Sequence, residues 1–129
     1  MIVVCVDDHQ VMLNRLLLCV QEILPNDSIY GFTECSAALA FVKEHGCDVL
    51  LGEIELYSQN GNLLAEEIKS INPKVNIIFV TVCDEKEHAR EVLKLKPSGY
   101  LTKPSTKEQI REELQQLRYP IERMNAEVF

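Results

Sequence analysis

An α/β domain built on a parallel sheet is predicted by three features of the sequence. Short apolar runs alternate with helical periodicity five times, the pattern of repeated strand-helix units. Val49, Leu50 and Leu51 form an unbroken apolar run, as expected of a strand covered on both faces. Four of the strand-like runs also end in groups of related chemistry: Ile2 to Val6 leads into Asp7-Asp8, Val49 to Gly52 into Glu53, Ile77 to Val80 into Thr81, and Gly99 to Thr102 into Lys103-Pro104.

The elements follow in order. After the first strand, Leu13, Leu16, Leu17, Val20, Ile23 and Leu24 recur at helical spacing until Pro25 stops the run. Ser28 to Thr33 is the second strand. A helix follows from about Ser36 to His45, with Ser36 as its expected N-cap and Gly46 as its stop. Asp48 to Glu53 is the third strand, and Ile54 to Gly61 is a loop closed by the turn signal Asn60-Gly61. Leu64, Ile68 and Ile71 mark the third helix, Asn76 to Thr81 the fourth strand, and Glu85 to about Leu95 a charged fourth helix. After the fifth strand, Ile110, Leu114 and Leu117 place a last helix from about Thr106 onward, which Pro120 prevents from running past Arg118-Tyr119.

With 129 residues, 47% of them hydrophobic, the chain forms one domain with a full core. Thirteen basic against 20 acidic residues give a net charge of −7, which argues against nonspecific binding of nucleic acid or an anionic membrane by this segment. Five scattered cysteines lack metal-ligand or Cys-x-x-Cys spacing and read as reduced thiols. Met1 leads straight into a short apolar run ended by two acids, so neither a basic leader nor a spanning segment is expected, and the location expected is cytoplasmic. Residues 1–118 are expected to form the domain, and 119–129 a C-terminal linker or stub toward an output domain.

Open parallel sheets bind ligands beyond the carboxyl ends of their strands, so Asp7, Asp8, Glu53, Thr81 and Lys103 are expected to share one cleft. Three acids and one lysine leave a formal deficit of two charges, which suits a hard divalent cation. Blander roles exist for each group. Paired acids often cap a helix, Glu53 suits a solvated strand end, and Tyr100 suits a core aromatic with its hydroxyl at the surface. His9, His45 and His88 share no ligand spacing and read as surface residues. A haloacid-dehalogenase-like phosphatase with Asp7 as nucleophile is an enzymatic alternative, but it wants a second acid where His9 stands.

Asp7-Asp8, the acid ending strand three, Thr81 and the segment Gly99-Tyr100-Leu101-Thr102-Lys103-Pro104 together resemble the receiver domain of two-component response regulators, the CheY-like family, over about residues 1 to 118. The resemblance implies a flavodoxin-like, doubly wound sheet of five parallel strands in the order 2-1-3-4-5, with five helices. It implies that Asp8 binds Mg²⁺ directly and Asp7 through water. Glu53 stands at the position of the phosphoacceptor, and the backbone carbonyl of Glu55 completes the protein ligands. Thr81 and Lys103 would hold the phosphoryl oxygens. Tyr100 takes the place of an aromatic switch acting with Thr81, and a cis peptide is expected before Pro104. The partners implied are a histidine kinase, the chain's own output domain, and a second copy docked through the fourth helix, fifth strand and last helix.

This sequence departs from the family at the centre of the site. Glu53 replaces the acceptor Asp, Val82 replaces a small residue, and Tyr57 replaces a proline. Misplacing a reacting group by about 1 Å can slow a reaction on the order of a hundredfold. The reading that follows is a non-enzymatic, phosphorylation-independent regulator in which Glu53 partly imitates a phosphorylated aspartate, with one negative charge where a phosphoryl group carries about 1.5 to 2. The alternative is a conventional Mg²⁺-dependent phosphoacceptor.

Overall fold

The computed structural model describes residues 1–53, 61–81 and 94–121, the side chains of 61–63 and 81 excepted. Nine elements follow one another: β1 (Ile2–Val6), α1 (Gln10–Ile23), β2 (Ser28–Phe32), α2 (Cys35–His45), β3 (Val49–Gly52), α3 (Gly61–Ile71), β4 (Asn76–Thr81), β5 (Gly99–Thr102) and α4 (Lys107–Gln115). The strands form one parallel sheet in the order β2-β1-β3-β4-β5. That order is the doubly wound arrangement expected, with the chain reversing direction across the sheet at β1 and β3. The helix expected over Glu85 to Leu95 falls largely on residues 82–93, outside the described residues; Leu95 itself is buried.

Two apolar layers sandwich the sheet because successive strand residues face opposite sides. Val4, Val6, Leu50, Ile77 and Phe79 pack against α2 and α3, where Ala38, Val42, Leu64, Ala65 and Ile68 face inward. Val3, Cys5, Val49, Leu51, Ile78, Val80 and Leu101 pack on the other side against Leu13, Leu16 and Val20 of α1 and Ile110 and Leu114 of α4. Gly31 in β2 lets α1 sit close, since a Cβ there would fall 2.6 Å from Leu17 Cδ1.

Two local expectations are corrected. Helix α2 starts at Cys35, with Glu34 at the N-cap position and no side-chain cap, so Ser36 lies inside the helix. Cys35, Ala38 and Val42 form its buried stripe at spacings of three and four, and burying the thiol draws the start forward. Ile71, in the last turn of α3, is 43% exposed, and Ala65 takes an inward place instead. Among the described residues no helix is long and apolar enough to cross a membrane.

The chain stays attached to the sheet beyond α4. The amide of Arg118 donates to Ser98 Oγ at 2.9 Å, and Tyr119 exchanges two hydrogen bonds with the Asn76 side chain.

Candidate functional site

The ladders of the sheet run one residue past the strand ends and carry the acids with them. Val6 pairs with Phe32 on one side and Gly52 on the other. The Asp7 amide then donates to the Phe32 carbonyl at 3.1 Å, and the Glu53 amide donates to the Val6 carbonyl at 3.2 Å. Asp7 and Glu53 thus emerge side by side from adjacent strands, at the carboxyl edge where such sheets bind ligands.

Lys103 reaches them from the far side of β4. It follows β5, two strand spacings from β3, or roughly 9.5 Å at the usual separation. Its long stem closes the gap. Lys103 Nζ lies 2.5 Å from Asp7 Oδ2 and 2.7 Å from Glu53 Oε2. Asp7 and Glu53 are buried, 2% and 5% exposed, and Lys103 is partly buried, with its side chain at 9%. Burial alone would lower the Lys103 pKa, but hydrogen bonds and charge from Asp7 and Glu53 outweigh it and raise it above the ordinary 10.5. The Lys103–Pro104 peptide is cis.

Asp7 Oδ1 accepts the His9 amide at 2.9 Å, which fixes the carboxylate just ahead of α1. No side chain caps that helix, so the paired acids do not act as its N-cap. His9 and His45 both have exposed side chains. Tyr100 is partly buried against the layer that holds α2 and α3. Thr81 ends β4, and its side chain lies outside the described residues, as do Glu55, Tyr57, Val82, Cys83 and His88.

The fit to a divalent cation turns on Asp8. Its Oδ1 is buried and makes no hydrogen bond, and the His9 imidazole Nε2 lies 4.0 Å from it. Asp7 and Glu53, in contrast, are engaged by the Lys103 ammonium. Among the described residues no group of three His, Cys, Asp or Glu side chains is disposed to hold a metal. The oxygen donors suit Mg²⁺ in kind, and Lys103 would compete with such an ion for the carboxylates of Asp7 and Glu53.

Sequence reasoning missed the neighbours of the triad on α1. Met12, Arg15 and Cys19 line a small cavity of about 70 Å³ together with Asp7, Lys103 and Pro104. Arg15 lies on the polar side of the α1 periodicity, and nothing in that pattern tells a solvent cation from one that borders the acidic edge.

The family model of the response regulator receiver domain matches residues 3–115. The transcriptional regulatory protein CitT of Bacillus subtilis is 37% identical over 78 residues, which is 60% of this chain and 34% of that protein. The transcriptional regulatory protein YpdB of Escherichia coli is 29% identical over 115 residues, 89% of this chain and 46% of that protein. The matches thus cover less than half the length of either relative. Among solved structures, the Vibrio cholerae chemotaxis protein CheY4 aligns with a TM-score of 0.81 over 90% of this chain and 97% of that one, at 19% identity. A receiver domain protein from Clostridium thermocellum gives 0.79 over 88% and 90%, also at 19% identity. At these identities the likeness shows the fold alone.

Proposed function

This chain belongs to the response regulator receiver domain family, and on that premise we propose a regulatory module whose centre works without phosphotransfer. The observation that carries the reading is the buried pairing of Glu53 with Lys103 at 2.7 Å. In the family pattern that lysine holds a phosphoryl oxygen. Here an acid of the protein itself, one carbon longer than the usual acceptor, already engages it. Glu53 would act as a built-in partial substitute for the phosphorylated aspartate, with Asp7 sharing the ammonium.

The module is not an enzyme in this reading. It regulates a C-terminal output beyond residues 119–129, transcriptional by analogy with the names of CitT and YpdB, in the cytoplasm. Contact with a second copy or with the output would run through the region of residues 85–95, β5, α4 and the Tyr100 switch. When bound, Mg²⁺ would neutralise phosphoryl oxygens in any residual transfer, held by Asp8 with Asp7, Glu53 and the Glu55 carbonyl. Thr81 and Lys103 would take the phosphoryl oxygens in that case.

The test is incubation of the chain and its Glu53→Asp variant with Mg²⁺ and a small acyl-phosphate donor, read by intact mass. The parent is expected to stay unmodified and the variant to gain one phosphoryl group. Stoichiometric phosphorylation of Glu53 in the parent would overturn the proposal. It would favour the conventional phosphoacceptor, a reading that the Asp8 oxygen without a hydrogen bond supports and whose mark is kinase-dependent labelling lost in Asp8→Ala.

A further inference from the structure

At the end of the sheet opposite the acidic site, two side chains receive the chain as it leaves α4. Asn76 opens β4 and is fully buried, at 0% exposure. Its Oδ1 accepts the Tyr119 amide at 2.7 Å, and its Nδ2 donates to the Tyr119 carbonyl at 2.9 Å. Ser98, just before β5, accepts the Arg118 amide on its hydroxyl at 2.9 Å. One amide side chain thus offers a donor and an acceptor to a single residue, as a neighbouring strand would. A Ser hydroxyl repeats the acceptor half one strand over.

Side chains close the arrangement from both sides. Lys69, in the last turn of α3, sets its Nζ 5.0 Å from the centre of the Tyr119 ring. Pro120 and Ile121 border a cavity of about 220 Å³ with Met1, Leu114 and Leu117. The segment is held by α3, β4, the approach to β5 and α4 together.

We propose that Asn76 and Ser98 form a latch that keeps Arg118 to Ile121 on the underside of the sheet and sets where any following chain leaves the domain. The latch is independent of the chemistry at Glu53. Its geometry gives it a regulatory meaning: release would move the point of attachment back from Ile121 to Leu117, which packs against the core. Four freed residues would lengthen a tether by up to about 14 Å when extended. Asn76 Oδ1 would then lose its partner while Nδ2 kept only the Asp48 carbonyl at 3.4 Å, so the closed state is favoured unless something else binds that amide.

Amide hydrogen exchange on the full chain tests the latch, with tryptic cleavage after Arg118 as a second readout. In the parent, the Arg118 and Tyr119 amides should exchange at least about tenfold more slowly than in a free peptide. Asn76→Asp keeps the shape but sets a carboxylate against the Tyr119 carbonyl. It should remove the Tyr119 protection and speed cleavage by about tenfold or more while the β1 and β3 amides stay protected. Should that variant fail to fold, Ser98→Ala gives the reading at Arg118, where protection should fall with the rest of the sheet unchanged. Tyr119→Ala should keep the slow amide, because the clasp is to the backbone. Free-peptide exchange at both amides in the parent would overturn the latch, and so would full protection retained in Asn76→Asp or in Ser98→Ala.

Discussion

Glu53 and Lys103 form a buried ion pair, Oε2 to Nζ at 2.7 Å, and the same ammonium lies 2.5 Å from Asp7. Two carboxylates therefore rely on one cation in a place with little water. Removing one partner of a buried pair leaves an uncompensated charge, at a cost of about 3–5 kcal/mol. Lys103→Met should destabilise the fold by that order, since it strands Asp7 and Glu53 beside each other. Urea unfolding checks it. A loss below about 1 kcal/mol, the range of exposed pairs, would mean that water reaches the site freely.

Neutralising Glu53 should behave differently. The triad carries two negative charges and one positive, so Glu53→Gln removes the surplus acid and leaves Lys103 paired with Asp7. An amide oxygen still accepts from the ammonium. The expected change in unfolding free energy is within about 1 kcal/mol, the net worth of one hydrogen bond. If Glu53 holds the module in its signalling state, however, Glu53→Gln should weaken self-association or output binding in sedimentation while stability barely moves. Equal association of the two proteins would separate the ion pair from the signal.

Alkaline stability should fall in two stages. Burial, with the charges of Asp8 and Glu67, pushes the Cys35 thiol from its ordinary 9.0 up to about 11. Burial and the charge of Asp48 push Cys47 to about 12. A raised thiol pKa contributes stability that is complete below pH 9.0 and is lost as the pH climbs through the folded value. Lys103 is raised as well, and its contribution disappears only above 10.5. Thermal melting across that range should show a decline from about pH 9 that steepens above 10.5. Cys47→Ala should soften the first stage, and Lys103→Met should remove the steepening.

How much of this was legible in the sequence depends on range. The strand ends were, because a terminal acid or lysine after an apolar run is a local signal, and the sheet order then places Asp7, Glu53 and Lys103 at one edge. Lys103's hold on Asp7 as well as Glu53 was not, because it depends on stem length across the two intervening strands β4 and β3. The start of α2 was misplaced because Ser36 is the better capping residue, yet burial of Cys35 outweighs a cap. Asn76 looked like an ordinary strand-opening residue. Its partner Tyr119 is 43 positions away and binds through backbone atoms, which leave no mark on residue type.

The start of α4 offers a local test beside the site. Thr106 Oγ1 accepts the Gln109 amide at 3.1 Å, and Gln109 Oε1 accepts the Thr106 amide at 2.9 Å, a reciprocal capping box. Two otherwise unpaired donors are satisfied at the head of a nine-residue helix that begins four positions after Lys103. Thr106→Ala should cost about 1 kcal/mol, and Thr106→Asp should cost less because a carboxylate also caps and favours the helix dipole. Gln109→Ala should fall between them, since it frees only the Thr106 amide, which water can reach. Equal stability of all four proteins in urea would show that packing of Ile110 and Leu114 against the sheet, rather than the cap, fixes where this helix begins.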